Sequence, residues 1–281
     1  MINFNGNIID SEEVLSIKNR GYNYGDALFE TIKVLNGKPL FFEDHYFRLM
    51  ASMRILRMEI PMNFTIEFLE QEIYKTLKSN KLLNNSARVK LNIHRNEGGF
   101  YLPKSNDISY IISCQILKED IYKIKQKAYE VDLFKDYYVT PGLLSTLKTN
   151  NKALHVIANI YASENRLHNC LLLNTNKHVI EAINGNVFII KDNIIKTPPL
   201  ADGCLKGIMR KQIIEILQSL PDYSFEEVSI SPFELQKADE LFLTNVIVGV
   251  QPISKYRKKY FTNEISKMLI EKLNVKMRLT S

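Results

Sequence analysis

Residues 19–52, NRGYNYGDALFETIKVLNGKPLFFEDHYFRLMAS, contain two local patterns that predict the fold of the first part of the chain. The pair Asn36-Gly37 separates an apolar, β-branched run from a second short apolar run, which is a strong short-range pattern for a β-hairpin. The continuation EDHYFRLMASMRILR has apolar residues at close to helical spacing and acidic residues at its start, which favours an amphipathic helix. The stretch therefore predicts a hairpin followed by a helix.

Strands and helices alternate along the rest of the chain. INFNGNII predicts a second Asn-Gly hairpin, ARVKLNIHR, DISYIISCQIL and AYEVDLFKDYYV predict strands, and short strands are expected over residues 169–200. Helices are predicted in TIEFLEQEIYKTLKSN, GIMRKQIIEILQSL and TNEISKMLIEKLNV, and over about residues 150–167. We therefore predict an α+β fold with domains at residues 1–117 and 129–281. A lysine-rich linker at 118–128 would join them, with a short charged helix as the alternative, and a small ligand is expected in the interdomain cleft.

The composition argues against several classes of protein. The 281 residues are 45% hydrophobic and 24% charged, and the formal net charge of +6 is spread along the chain, which suits an anionic small molecule. No basic-aromatic stripe favours nucleic acid, and no apolar run approaches the ~20 residues of a membrane span. The three cysteines and five histidines lack the spacing of a disulfide framework or a metal site. We expect a cytoplasmic protein that binds no nucleic acid, membrane or metal.

Two lysines in GLLSTLKTNNKAL (residues 142–154), Lys148 and Lys152, lie at the junction of an apolar-leaning run and a predicted helix. Lysines four residues apart usually share a solvated helix face. Lys148, however, precedes the helix proper, and a strand end there would project its amine into a cleft. Lysine forms Schiff bases with carbonyl cofactors once desolvation lowers its pKa. Lys148 is therefore a candidate for covalent chemistry.

Three other stretches have a chemical and a structural interpretation. Glu181 lies within the apolar run VIEAINGNVFII, where a buried carboxylate would need a partner, although a strand-edge position facing water is the alternative. Arg48, on the polar flank of a helix, could bind phosphate, or it could be a surface or salt-bridged arginine. Gly207 in LKGIMR precedes a helix, so the N–H groups of Ile208 and Met209 could face an anion, although many helices start at a glycine with nothing bound.

In their order and spacing, these stretches resemble the class IV aminotransferases, the fold-type IV pyridoxal phosphate enzymes. The N-terminal block of residues 19–52 is followed by LKTNNKAL, VIEAINGNVF, TPPLADGCLKGIMR and ELFLTNVIVGVQP, so that the resemblance covers about residues 4–254. The family includes branched-chain aminotransferase, D-amino acid aminotransferase and 4-amino-4-deoxychorismate lyase. The resemblance implies two α+β domains, a pyridoxal 5'-phosphate cofactor in the cleft between them, and a homodimer.

The resemblance also assigns roles to individual residues. It implies that Lys148 bonds covalently to the cofactor and moves the substrate proton, and that Glu181 keeps the pyridine nitrogen protonated. The implied phosphate ligands are Arg48, the backbone amides of Ile208 and Met209, and Thr244. Asn186 matches an asparagine of structural role in the family. Gly185 stands where the family usually has serine or alanine, so the packing around the predicted strand that contains Gly185 is expected to differ in detail.

The motifs favour one member of the family over two others. Ala153 and Lys33 stand where branched-chain aminotransferases usually have tyrosine and arginine, and HRNEGGFYLP lacks the Arg-x-His element of D-amino acid aminotransferases. The lyases share GIMR, the lysine-x-x-Asn-basic pattern and the Gly-Gly of NEGG. They generally follow Gly-Gly with arginine and a Gly-Tyr pair, where this chain has Phe100 and Tyr101. We therefore favour the lyase, with a D-amino acid or branched-chain aminotransferase as the alternative.

The lyase assignment implies a reaction in folate biosynthesis that releases pyruvate and 4-aminobenzoate from an amino substrate bearing carboxylate. Thr31 is a candidate second proton carrier, with a strand threonine chosen for β propensity as the alternative. Phe29 and Arg95 are candidate substrate contacts, although Arg95 could equally be a solvated arginine at a strand end. A non-enzymatic binding or scaffold protein is a further alternative. The joint presence of Lys148, Glu181 and Arg48 weighs against it.

Overall fold

A computed structural model of the chain describes residues 1–11, 13–124 and 127–280, which fall into two units. The first unit comprises Met1–Asp120, Lys148–Asn151 and the residues from Met277 onward, and the second comprises Ile121–Leu147 and Lys152–Lys276. Residues 125 and 126 of the predicted linker lie outside the described residues. The linker residues on either side form neither helix nor strand, so the alternative of a short charged helix is not found in them.

The first unit is built on a six-stranded antiparallel sheet. In chain order its elements are β1 (Ile2–Phe4), β2 (Asn7–Ile9), α1 (Arg20–Tyr24), β3 (Ala27–Leu35), β4 (Lys38–Pro39), α2 (Phe42–Ile55), α3 (Ile66–Ser79), β5 (Ala87–Arg95) and β6 (Ile108–Ile116). The strand order is β2-β1-β6-β5-β3-β4. Both predicted hairpins are confirmed, because Asn5-Gly6 and Asn36-Gly37 have the positive φ values that type I′ turns require.

The two faces of strand β3 have different environments. Leu28 and Ile32 are buried on the face against which α2 packs. Successive side chains of a strand alternate between faces. Phe29, Thr31 and Lys33 therefore project from the other face, together with the residues that pair with them on β5. This second face is where the candidate chemistry of the first unit lies.

The second unit contains a ten-stranded sheet with mostly antiparallel pairing. In chain order its elements are β7 (Glu130–Leu133), α4 (Ala153–Glu164), β8 (Asn169–Leu173), β9 (Val179–Ala182), β10 (Gly185–Lys191), β11 (Ile194–Thr197), α5 (Ile208–Gln218), β12 (Ser224–Glu227), α6 (Pro232–Lys237), β13 (Glu240–Asn245), β14 (Gly249–Ile253), β15 (Lys255–Tyr256), β16 (Lys259–Tyr260) and most of α7 (Glu264–Thr280), whose residues from Met277 onward belong to the first unit. Short 3-10 helices occur at Leu143–Thr146 and Leu200–Asp202.

Strand β8 is buried on both faces, which explains its continuous apolar sequence. Leu171 and Leu173 belong to one core cluster, whereas Cys170 and Leu172 belong to another that includes residues of α4. Strand β9 lies beside β8, with Glu181 opposite Leu172 in the register. Glu181 is therefore placed within the most buried part of this sheet.

The prediction for the segment around Lys148 was wrong in two details. The helix expected over about residues 150–167 is α4, which starts at Ala153, so that Lys152 is its N-cap and not a residue within the helix. Lys148 follows the 3-10 helix Leu143–Thr146 and lies in neither helix nor strand, instead of at a strand end. Both errors have one cause, because the residues from Lys148 onward pair with the start of β3, more than a hundred positions earlier.

Other predicted helices and strands are present, with bounds that differ by a few residues. The short elements α1, β12, β15 and β16 were not predicted, since elements of five residues or fewer are too short to show a periodicity. Among the residues that the structure describes, no helix combines the length and apolar character needed to cross a membrane.

Candidate active site

Lys148 is fixed by backbone pairing to strand β3. The Phe29 N–H donates to the Lys148 carbonyl at 2.9 Å, and the Asn150 N–H donates to the Ala27 carbonyl at 3.0 Å. Thr149 forms an isolated bridge with Leu28 between these two bonds. The Lys148 ammonium nitrogen consequently lies 4.5 Å from the centre of the Phe29 ring, in a cation–π contact. The sequence predicted Lys148 and Phe29 separately, and the structure brings them together.

A second lysine approaches the same aromatic ring. Lys90 of β5 places its ammonium nitrogen 5.1 Å from the centre of the Phe29 ring and is the register partner of Thr31. Burial, followed by repulsion from Arg88, lowers the pKa of Lys90. Two residues along β3 from Thr31, burial lowers the pKa of Lys33 to about 8, although Asp120 and Glu119 oppose this. This face of the sheet therefore carries several cations around Phe29 and Thr31.

Arg48 projects from α2 onto a buried carboxylate of the opposite face. Its Nε donates to Glu30 Oε1 at 2.8 Å and its second terminal nitrogen donates to Glu30 Oε2, which is a bidentate pair. His45 Nδ1 lies 2.7 Å from the same Oε2. The Arg48 side chain is only 8% exposed, so a surface position is wrong, whereas the salt-bridged alternative is found. Its role toward a phosphate stays a prediction.

Glu30 is ionised in this cluster although it is buried. Burial acts to raise the pKa of its carboxyl, but Arg48 and His45 together outweigh burial and lower the pKa to about 2. Burial lowers the pKa of His45, although its contact with Glu30 acts to raise it. Sequence reasoning missed Glu30 and His45. The signal for Glu30 was an acid at an apolar position of strand β3, the same signal that identified Glu181.

In the second unit, Glu181 is 6% exposed, so the alternative of a strand-edge carboxylate facing water is wrong. Its Oε2 accepts the backbone N–H of Leu205 at 2.9 Å. Its Oε1 lies 3.4 Å from Nε2 of His155 on α4. The buried carboxylate thus accepts one backbone hydrogen bond and lies beside an imidazole nitrogen from a different element of the unit. His155 was not predicted, because a histidine on an amphipathic helix carries no pattern of its own.

The start of α5 is as predicted, with Gly207 as N-cap and Ile208 as the first helical residue. No side chain of the described residues caps this terminus, so its first N–H groups are open to a ligand. A Cβ atom at Gly207 would lie 2.0 Å from Asn186 Oδ1. The Asn186 amide nitrogen also donates to the Leu205 carbonyl at 2.8 Å. Asn186 therefore has the structural role predicted for it, since it fixes the approach to the helix.

Thr244 lies next to Asn186 in the register between β10 and β13. Its hydroxyl oxygen is buried and has no hydrogen-bond partner among the described residues. A buried hydroxyl without a partner is costly, so a ligand that completes it is expected here. Gly185 is explained by the same neighbour, because a Cβ there would lie 2.8 Å from the Thr244 carbonyl oxygen. The hydroxyl and the open N-terminus of α5 fit the donor set of a phosphate group.

Arg95 is held in a network within the first unit. Its Nε donates to Asp26 at 2.9 Å, and its terminal nitrogens donate to Asn106 at 2.6 Å and to the carbonyls of Leu56 and Arg57 at 2.6 and 3.1 Å. It is 5% exposed, so the alternative of a solvated arginine is wrong. Its role toward a substrate carboxylate stays a prediction, and these four contacts weigh against it.

The architecture is that of the fold-type IV pyridoxal phosphate enzymes. A branched-chain aminotransferase from Thermoproteus uzoniensis, crystallised with norvaline, superposes with a TM-score of 0.86 over 96% of this chain and 92% of its own, at 22% identity. The 4-amino-4-deoxychorismate lyase of Pseudomonas aeruginosa gives a TM-score of 0.82 over 97% of this chain and 98% of its own, at 25% identity. A T.th. branched-chain aminotransferase, crystallised with pyridoxamine 5'-phosphate, gives a TM-score of 0.85 over 96% and 91%, at 22% identity.

Sequence comparison leads to the same family. The model of the amino-transferase class IV family matches residues 27–256. A Methanocaldococcus jannaschii protein assigned as a branched-chain-amino-acid aminotransferase is 28% identical over 96% of this chain and 94% of its own. The aminodeoxychorismate lyase of Vibrio harveyi is 27% identical, covering 84% of each chain, and the D-alanine aminotransferase of Listeria monocytogenes is 27% identical over 89% and 85%. The chain belongs to the class IV amino-transferase family and is an enzyme.

Proposed function

We propose that the chain is a pyridoxal 5'-phosphate enzyme that acts as 4-amino-4-deoxychorismate lyase. The observation that carries the proposal is the pair of ammonium groups on Phe29, from Lys148 at 4.5 Å and Lys90 at 5.1 Å. Lys148 is the residue proposed for covalent chemistry, and Lys90 places a second positive charge against the same aromatic ring. Aminodeoxychorismate has two carboxylates, whereas alanine and leucine have one. A second cation on the ring that Lys148 contacts therefore favours the lyase substrate.

The residues proposed to hold the cofactor are those that the family resemblance assigns to it. In the second unit, Thr244 and the amides of Ile208 and Met209 would bind the phosphate, and Glu181 would bind the pyridine nitrogen. In the first unit, Lys148 would bond to the aldehyde carbon, and Arg48 would add a positive charge for the phosphate. When bound, the cofactor supplies an electron sink for the bonds made and broken at the amine-bearing carbon.

The remaining residues of the cationic face have roles in binding and proton transfer. Lys148 would take the proton from the amine-bearing carbon of the ring, which allows the ring to become aromatic as pyruvate leaves. Thr31 is buried beside Lys90 in the register and would act as a second proton carrier. Lys90 and Lys33 would bind carboxylates of the substrate. The reaction would place the enzyme in cytoplasmic folate biosynthesis, and we propose that it works as a homodimer.

The covalent role of Lys148 is tested by colour. The wild-type chain with pyridoxal 5'-phosphate should absorb in the visible region, and borohydride should bleach it and leave the cofactor mass on Lys148. Lys148→Ala should lose the colour, because alanine has no amine that could bond to the cofactor. Lys152→Ala is the matched control and should keep it. Loss of colour in Lys152→Ala instead would contradict the assignment of the two lysines.

The choice of substrate is tested by product analysis. The enzyme is given aminodeoxychorismate and assayed for pyruvate, and in parallel it is given D-alanine or leucine and assayed for the pyridoxamine form of the cofactor. Pyruvate release from aminodeoxychorismate is the expected result. Rapid conversion by D-alanine or leucine without any pyruvate from aminodeoxychorismate would reject the lyase. It would establish the aminotransferase alternative, which the names of the M. jannaschii and L. monocytogenes relatives favour.

A further inference from the structure

The carboxylate of Glu181 is approached by a histidine whose role the proposed mechanism leaves unexplained. Leu205 donates its backbone N–H to Oε2 at 2.9 Å, and His155 Nε2 lies 3.4 Å from Oε1. Both oxygens of the buried carboxylate are thereby adjacent to a nitrogen. His155 is therefore in a position to influence the orientation of Glu181.

Packing alone does not account for an imidazole at position 155. The side chain is 19% exposed, and its Nδ1 is buried without a hydrogen-bond partner in the described part of the chain. A buried nitrogen without a partner is destabilising, and an apolar side chain would avoid that cost. The other nitrogen, Nε2, is the one that lies near a polar partner. The contact with Glu181 is thus the feature that distinguishes histidine from a leucine of similar volume.

The position of His155 favours the tautomer that can donate to Glu181. His155 is the third residue of α4, which starts at Ala153 and has no side-chain cap among the described residues. Nε2 is the ring nitrogen that lies near the carboxylate, 3.4 Å from Oε1. A proton on Nε2 points toward Oε1 and leaves Nδ1 as the acceptor without a partner in the described part of the chain. This arrangement agrees with both contacts of the imidazole.

We propose that His155 is a positioning residue for Glu181, holding Oε1 while the Leu205 amide holds Oε2. The inference rests on the proposed function, in which Glu181 binds the pyridine nitrogen of the cofactor. The Leu205 hydrogen bond and the His155 contact together fix the plane of the carboxylate. An ionised, oriented carboxylate binds a protonated ring nitrogen more tightly than a mobile one does. The cofactor should therefore bind more weakly, and absorb differently, when the Nε2 donor is removed.

The test compares two substitutions that differ in one hydrogen-bond donor. His155→Leu removes the donor, whereas His155→Gln retains an amide nitrogen that can reach the position of Nε2. The dissociation constant of pyridoxal 5'-phosphate is measured for each full-length variant, together with the absorbance spectrum of the bound cofactor and the unfolding temperature of the cofactor-free protein. We expect His155→Leu to bind the cofactor about tenfold more weakly with a shifted absorbance maximum, and His155→Gln to stay within about twofold of wild type.

A double-mutant comparison shows whether the effect passes through Glu181. In the Glu181→Gln background, His155→Leu should cause little further loss, because the carboxylate that it orients is gone. His168→Leu is the control, since that histidine accepts the Glu130 N–H and packs on Tyr129. Equal binding by His155→Leu and wild type, or equal losses in the Leu and Gln variants, would overturn the inference while leaving the proposed function intact. A wild-type chain that binds no pyridoxal 5'-phosphate would overturn the proposed function, and the inference with it.

Discussion

At the scale of single residues, Glu30 determines the state of the arginine proposed for phosphate binding. Glu30 is 2% exposed, and it holds Arg48 through two hydrogen bonds and contacts His45 at 2.7 Å. The Arg48–Glu30 pair is formally neutral, so Glu30 reduces the charge that a phosphate would meet. At the same time it fixes the direction of the guanidinium, and a fixed donor set binds without a further loss of side-chain entropy.

The pH dependence of stability should reveal the Glu30 cluster. The pKa of Glu30 is lowered from 4.5 to about 2 in the folded chain, so its stabilising effect is full above pH 4.5 and is lost as the pH falls toward 2. Glu30→Gln should lower the free energy of unfolding by about 3 kcal/mol at pH 7, because a buried guanidinium loses its neutralising carboxylate. The difference between variant and wild type should shrink at pH 3. Denaturant titrations at both pH values measure this difference in the free energy of unfolding, and Glu70→Gln, at an exposed position, is the control. A difference that does not change with pH would contradict the assignment of a negative charge to Glu30.

Lys90 should affect one substrate more than another. If Lys90 binds the second carboxylate of aminodeoxychorismate, Lys90→Gln should reduce kcat/KM for that substrate by about tenfold, since a charged hydrogen bond contributes about 1.5–3 kcal/mol. The rate with D-alanine, where there is activity, should change much less, because alanine has no second carboxylate. Steady-state kinetics with both substrates measure the contrast, and the exposed Lys75→Gln is the control. Equal losses of activity with both substrates would mean that Lys90 does not recognise the second carboxylate.

At the scale of elements, the start of α5 depends on a close approach between a glycine and an asparagine. Gly207→Ala would place a Cβ 2.0 Å from Asn186 Oδ1, so the asparagine must move and its 2.8 Å bond to Leu205 must lengthen or break. We expect a loss of stability of about 1–3 kcal/mol. The double variant with Asn186→Ala removes the clash and should be more stable than additivity allows. Thermal unfolding of the two single variants and the double variant measures the coupling, and strict additivity would contradict the clash.

The helices and strands also show which features of the fold could be predicted from the sequence and which could not. The hairpins and helices follow from local patterns, such as the Asn-Gly turns and the apolar periodicity of α2, so their prediction was confirmed. Lys148 and Glu181 were found because each residue type is unusual in its local context. The pairing of Lys148 with β3, the His155 contact and the network around Arg95 join residues far apart in sequence. No local pattern encodes such contacts, because they depend on the tertiary arrangement of several elements.

At the scale of the whole molecule, the proposed cofactor should act as a stabilising ligand. A ligand that binds only the folded chain stabilises it by RT ln(1 + [L]/Kd), which is about 2.7 kcal/mol at a hundredfold excess over Kd. For a chain of this size, that corresponds to a rise of several degrees in the unfolding temperature. Pyridoxal 5'-phosphate should produce this rise.

Pyridoxal without the phosphate should produce a much smaller rise in the unfolding temperature, because it leaves the Thr244 hydroxyl and the α5 amides without an anion. Thr244→Val should reduce the rise with pyridoxal 5'-phosphate, and an undiminished rise in that variant would remove Thr244 from the proposed phosphate ligands.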